Sequence, residues 1–307
     1  MATIHYDPRW SGPHGIGRFA DEVVARLPGA QPLQLGVGKL SLFDPLATTL
    51  AALRLRSGAY FTPGFNPPLR SAVPFVFCIH DLIHLRFAAE STAARRAYYR
   101  LVVGPGAWRA AKVLTVSEHA RGEILEWTKL PAERVVVAGN GVAAAFKPEG
   151  ERHDPGYPYF LFVGRRVPHK NVERLVAAHA ASRCGREVRL LFADSLDDER
   201  LAAHYRGAVA LAFPSLYEGF GIPIVEAMAC GTPVLASNAT AIPETAGEGN
   251  ALYVDPLRVE AIAAGLDRLA DDAALRSDLR QRGLARAAAF SWDQVADRVG
   301  KVLREAA

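Results

Sequence analysis

The sequence has little cysteine, no long apolar run and no leader-like start. Its three cysteines, Cys78, Cys184 and Cys230, are too few for a disulfide framework, and none stands in the CxxC spacing of a zinc site. A reduced, cytoplasmic compartment is the simplest expectation. The opening Met1-Ala-Thr-Ile-His-Tyr-Asp-Pro lacks the basic patch and apolar run of a signal peptide. The longest stretch without a formal charge lies between Glu226 and Glu244, and Gly231, Pro233, Asn238 and Pro243 interrupt it, so it is not a membrane span. Short-period repeats and low-complexity tracts are also missing. What is present is ordinary globular composition: 307 residues, 50% apolar and 22% charged, enough for about two domains.

The net charge of +4 conceals an uneven distribution. Residues 1–150 hold 17 Lys and Arg against 11 Asp and Glu, whereas the remainder holds 19 against 21. The strongest basic run is Arg95, Arg96 and Arg100, interleaved with Tyr98 and Tyr99 and followed by Trp108, Arg109 and Lys112. Cations mixed with aromatics suit an anionic lipid surface or a nucleic acid, and a solvated helix face with a few rings turned inward is the competing reading. Nothing else resembles a nucleic-acid module, so no nucleic-acid partner is expected.

Short apolar segments alternate with amphipathic ones, the pattern of parallel sheets covered by helices on both faces. Strands are predicted at about 2–6, 73–79, 113–116 and 135–138. The first leads through Gly15-Ile16-Gly17 into a helix at about 16–27, and Ser117 is placed to cap another. Residues 147–158 turn polar and lose all periodicity, which reads as a linker. A second set follows: strands at 159–163, 188–193, 209–213 and 233–236, with helices at about 171–183, 198–206 and 222–229. An amphipathic helix runs from Trp292 to Glu305.

In such sheets ligands gather at the carboxyl ends of the strands. Gly15 and Gly17 open a helix whose amides and dipole suit an anion, although a turn can need glycine for geometry alone. The run Gly219-Phe220-Gly221-Ile222, with Pro223 behind it, is a second such place. Glu226 near that helix start could serve stability only, by pairing with the dipole. Arg165 and Lys170, five residues apart after a strand, can flank a diphosphate, or form a basic turn facing water. His80 at a strand end could act as a base, bind a sugar hydroxyl, or be a satisfied structural residue.

Together these segments resemble a known family. Glu218-Gly-Phe-Gly-Ile-Pro-Ile-Val-Glu226, followed by Ala-Met-Ala-Cys-Gly-Thr-Pro, is similar to the E-x7-E signature of retaining GT-B glycosyltransferases of family 4. Gly15-Ile-Gly-Arg18, His80-Asp-Leu-Ile and Val163-Gly-Arg-Arg-Val-Pro-His-Lys170-Asn171 agree in order. The resemblance implies an α/β fold of two doubly wound Rossmann-like domains facing across a cleft. The N-terminal domain would span 1–150, with helix 292–307 packing back on it, and the nucleotide-sugar domain 151–291.

The implied reaction is transfer of a hexose, mannose or a deoxyhexose, from a nucleotide-diphosphate sugar to a hydroxyl with retention. A GDP-sugar is the favoured donor, and a polyprenyl-linked glycan or other polysaccharide the acceptor. Carried over by motif, Arg165 and Lys170 would hold the diphosphate, and the amides of Gly219, Phe220, Gly221 and Ile222 would complete the cradle with Gly15 and Gly17. Glu218 would bind hydroxyls of the donor sugar, Glu226 the ribose, and His80 the sugar near C6. No Asp-x-Asp motif occurs, so neither a metal nor another cofactor is expected.

The acceptor class fits a peripheral position on the inner leaflet, with Arg95, Arg96, Arg100, Trp108 and Arg109 as the contact. Two departures stand out. Ala143 replaces the aspartate usual after Asn140-Gly141-Val142. Some 25–30 residues of a normal α/β unit are also missing between Phe192 and Tyr205, so the second domain reads as shortened, natively or through omitted residues. A sugar-nucleotide epimerase of the same fold and a catalytically inactive binding or scaffold subunit are the alternatives.

Overall fold

Strand pairing is parallel throughout both sheets, as the alternation of short apolar strands with helices requires. The computed structural model describes residues 3–307. They fall into two units, one running to Gly141 and resuming at Trp292–Ala307, the other Val142–Ser291.

The first unit is built on β1 (Ile4–Tyr6), β2 (Gln31–Pro32), β3 (Ala59–Thr62), β4 (Phe75–Cys78), β5 (Lys112–Thr115) and β6 (Val135–Val137), in the order β2-β1-β3-β4-β5-β6. The first predicted strand is therefore Ile4–Tyr6, its residue 2 lying outside the described residues. The helices are α1 (Gly15–Ala25), α2 (Asp44–Leu53), α3 (Ile83–Arg86), α4 (Ala93–Tyr98), α5 (Gly104–Arg109) and α6 (Glu118–Thr128). Ser117 caps α6 as expected, accepting from the Ala120 amide at 3.0 Å.

Side chains alternate across a strand, so an apolar run supplies both faces. Tyr60, Phe75, Phe77 and Ile79 join Val103 and Ile124 in one core layer. Phe61, Val76, Cys78 and Leu114 join Phe19 and Val23 of α1 in the other.

The second unit carries β7 (Tyr159–Val163), β8 (Arg189–Ala193), β9 (Ala210–Phe213), β10 (Val234–Ser237) and β11 (Leu252–Val254), in the order β11-β10-β9-β7-β8. Its helices are α7 (Val172–Ala181), α8 (Asp198–Gly207), α9 (Ile222–Ala229), α10 (Ile242–Ala246), α11 (Val259–Asp271) and α12 (Ala273–Ala287). The edge strand β8 passes directly through residues 194–197 into α8, which Asp197 caps on the Arg200 amide at 2.9 Å. No strand intervenes there among the described residues.

The polar stretch 147–158 is strapped onto α8. Arg206 donates to the carbonyls of Lys147 (3.2 Å) and Glu151 (2.6 Å), and the His153 ring stacks on His204 at 3.9 Å. Phe146 packs edge-on against Tyr205. Its lack of periodicity reflects anchoring through backbone carbonyls, which leave no hydrophobic trace in sequence.

The last helix, α13 (Trp292–Ala306), belongs to the first unit. Trp292, Val295, Val299 and Leu303 recur at helical spacing and enter the layer formed with α1. A side chain at Gly141 would lie 2.5 Å from the Trp292 nitrogen, so only glycine allows the chain to pass there.

Candidate functional site

Strand order fixes where each sheet offers a crevice. In the second unit the chain departs from β7 to β8 on one side and returns to β9 on the other, so the loops after β7 and β9 splay apart there. These loops carry Lys170 and Glu218. Lys170 Nζ donates to Glu218 Oε1 at 2.7 Å, with both side chains largely buried, and its ammonium lies 4.9 Å from the centre of the Phe213 ring.

Asn171 holds that geometry. It sits in the left-handed region (φ 60°), and its amide donates to the carbonyls of Pro214 (2.9 Å) and Pro256 (2.7 Å). Its Oδ1 accepts from Arg174 at 2.9 Å. One buried side chain thus ties the end of the β7 loop to the loops after β9 and β11. The Leu216 amide adds a bond to His169 O at 2.7 Å.

Glu218 is braced from its own side, its amide donating to Thr240 Oγ1 at 3.0 Å. Gly219, Phe220 and Gly221 then lead to α9, where Gly221 takes φ 96° and Pro223 fills the first turn without needing a donor. Ile222 opens the helix. The Phe220 carbonyl accepts from Thr245 Oγ1 at 2.6 Å, which fixes the turn and leaves the amides at the start of α9 facing the loop end.

Glu226 is buried on α9, and its Oε2 accepts from Tyr205 OH at 3.0 Å. Arg165 is exposed, whereas Arg166 stacks at 4.1 Å on the Phe192 ring. The structure therefore brings Lys170, Glu218 and the 219–222 turn together, seats Glu226 deeper against α8, and leaves Arg165 at the surface.

In the first unit the order switches between β1 and β3. Gly15 and Gly17 open α1, which His14 caps by accepting the Gly17 amide at Nδ1, 2.8 Å away. A Cβ at Gly17 would lie 2.1 Å from Gly12 O, so this glycine is demanded by close backbone approach. His80 is buried behind β4, and its Nε2 donates to Pro63 O at 2.8 Å. Burial lowers its pKa to about 4 against the pull of that carbonyl, with His14 lowering it further. The ring is neutral at pH 7, and Nδ1 is its acceptor.

Arg95, Arg96, Arg100, Trp108 and Arg109 are all exposed, while Tyr99 between them is buried. Among the described residues no three His, Cys, Asp or Glu side chains cluster, and no helix is long and apolar enough to cross a membrane. Sequence reasoning did not find Asn171, Tyr205, Phe213 or Thr240. Asn171 alone left a signal there, directly after Lys170 at the start of a helix.

Two doubly wound parallel units, with a lysine–glutamate pair and a glycine turn at a switch point, are the frame of a GT-B glycosyltransferase. The chain belongs to that family: residues 18–141 match the glycosyl transferase 4-like domain and residues 179–286 match glycosyl transferases group 1. It is 31% identical over 221 residues to the O-antigen chain mannosyltransferase B of Escherichia coli, covering 60% of this chain and 58% of that protein. It is 32% identical over 272 residues to the MMP alpha-(1->4)-mannosyltransferase of Mycolicibacterium hassiacum, covering 76% and 66%. The chain thus spans less than two thirds of the length of these relatives. The sucrose-phosphate synthase of Thermosynechococcus elongatus shares the fold, with a TM-score of 0.77 over 99% of this chain and 98% of that one at 21% identity.

Proposed function

We propose that this glycosyltransferase moves a hexose, mannose or a deoxyhexose, from a GDP-sugar to a hydroxyl of a lipid-linked or polysaccharide acceptor, with retention and without a metal. The observation that carries it is the Lys170–Glu218 pair beside the amides of 219–222. A cation that is already balanced, next to the start of a helix, suits exchange of one anion for another. An arriving diphosphate takes over Lys170, which releases Glu218 to accept hydroxyls of the donor sugar. Arg165, exposed on the same β7 loop, adds a second cation.

In the transfer the bond from the anomeric carbon to the diphosphate oxygen breaks, and the electron pair stays on the leaving phosphate. The acceptor oxygen bonds to the same face of that carbon and gives its proton to the leaving phosphate. Lys170 and the amides stabilise the charge that develops there, in the role a divalent ion takes elsewhere. Neutral His80 offers Nδ1 to a sugar hydroxyl, and Glu226 offers its carboxylate to the ribose by giving up Tyr205. Mannose is supported by the two mannosyltransferase relatives. The exposed Arg95, Arg96, Arg100, Trp108 and Arg109 would meet the anionic surface that carries a lipid-linked acceptor.

Calorimetric titration of GDP-, UDP- and ADP-sugars, with donor hydrolysis followed in the same samples, tests the reading. Binding of a GDP-sugar with slow hydrolysis is expected. Conversion of the bound sugar to a free isomer without acceptor would favour the epimerase, and the absence of any binding would favour a scaffold subunit with the short β8–α8 connection as its cause.

A further inference from the structure

Helix α2 is inside out. Its buried residues are Asp44, Thr48, Thr49 and Ala52, whereas its leucines face outward. Leu42 and Phe43, just before the helix, are 89% and 65% exposed; Leu46 is 54%, and Leu50 and Leu53 are each 47%. Phe43, Leu46, Leu50 and Leu53 recur at helical spacing and form one stripe. Five of the ten large exposed apolar side chains found among the described residues lie in these twelve residues, so the apolar surface is concentrated here.

Polar anchors hold the helix in this register. Asp44 is fully buried and pairs with Arg9 at 2.8 Å, while Thr48 donates to Asp44 at 3.0 Å. Arg9 also pairs with buried Asp7 at 2.6 Å, and Asn66 donates to both carboxylates, at 2.9 and 3.3 Å. Rolling the helix to bury its leucines would strip buried charges of their partners, a loss that apolar burial does not recover. The stripe is therefore fixed outward.

Its margin is basic. Thr49 Oγ1 accepts the Leu69 amide at 2.8 Å, which sets exposed Leu69 and Arg70 beside the helix, and exposed Arg54 and Arg56 follow its end. Between residues 33 and 73 the sole acidic side chain is buried Asp44. A second copy seated on this face would bring like charges together across a two-fold axis, whereas anionic headgroups neutralise them. We propose that α2 is a membrane anchor: it lies in the plane of an anionic lipid surface, with Phe43, Leu46, Leu50 and Leu53 inserted and Arg54, Arg56 and Arg70 at the headgroups. None of these residues belongs to the basic run at 95–109 or to the residues given to the transfer reaction.

The test is sedimentation of the full chain with phosphatidylcholine vesicles that contain, or lack, roughly one third phosphatidylglycerol. Vesicle binding is read without nucleotide sugar, so it stands or falls apart from the transfer reaction. The wild type is expected to bind the anionic vesicles, and salt to remove that binding only in part, because apolar insertion is not screened. Leu46→Glu with Leu50→Glu is expected to weaken binding at least tenfold, with Tm and donor hydrolysis retained. The Arg95→Glu, Arg96→Glu variant, measured in parallel, is expected to keep the salt-resistant part. Unchanged binding in the leucine variant, or none in the wild type, would overturn the proposal. A dimer in sedimentation equilibrium that the leucine variant converts to a monomer would give the face to a second copy instead.

Discussion

Lys170 and Glu218 each hold the other's charge, and this makes their variants distinguishable. Glu218→Gln removes the counter-charge from Lys170 while keeping its shape. Nucleoside diphosphate affinity should hold or rise, while transfer falls on the order of 100-fold because the sugar hydroxyls lose their acceptor. Lys170→Ala should show the opposite division, with diphosphate binding and kcat both falling by roughly that factor. Titration calorimetry and steady-state kinetics on the two variants separate the roles, and matching losses in both would remove the exchange of anions from the mechanism. At His80 the folded pKa, about 4, lies below the ordinary 6.5, so the unfolded chain takes up the proton first. Its contribution is complete above about pH 6.5 and is lost as pH falls to about 4, at no more than ~1.4 kcal/mol per pH unit. Denaturation of the wild type and of His80→Gln across that window should show the shallower slope in the variant.

At the scale of elements, the decisive part is the joint between the β7 loop and the loops after β9 and β11. Asn171→Ala would strand the Pro214 and Pro256 carbonyls and force alanine into φ 60°, at a cost of about 2–4 kcal/mol. Its activity should fall more than its diminished stability explains, since Lys170 loses its foundation; urea unfolding and kcat together check this. Such joints explain what the sequence made legible. β7, β9 and α9 were readable because an apolar strand that stops at glycine or proline, and a helix that starts at proline, are local signals. The same local signals pointed to Lys170, Glu218 and the 219–222 turn, and Lys170 and Glu218 lie in contact. Helix α2 and the short β2 were not found. The first carries its leucines on the wet side, and the second is two polar or proline residues defined only by their neighbour β1. Glu226 was expected from motif, yet its bond to Tyr205 joins residues on α9 and α8, and no local pattern encodes a partner across helices. The stretch 147–158 carries no hydrophobic period because Arg206 holds it through backbone carbonyls and His153 stacks on His204.

At the scale of the molecule, α13 completes a unit begun some 290 residues earlier. Trp292, Val295, Val299 and Leu303 are buried in its layer, and each is worth ~1.5–3 kcal/mol. Their sum rivals the 5–15 kcal/mol that typically separates a folded domain from its unfolded state. Deleting Trp292–Ala307 should therefore abolish slow hydrogen exchange in β1–β6 and leave it in β7–β11; retained protection in both would show that the first unit closes without α13. The same return path orders events during synthesis. The first unit leaves the ribosome with the faces of Phe61, Val76 and Leu114 uncovered, and the roughly 150 residues of the second must be translated before α13 emerges. At 5–20 residues per second that is a wait of about 8–30 s. The unit made first is the last to be finished, so a nascent-chain chaperone has its longest hold here.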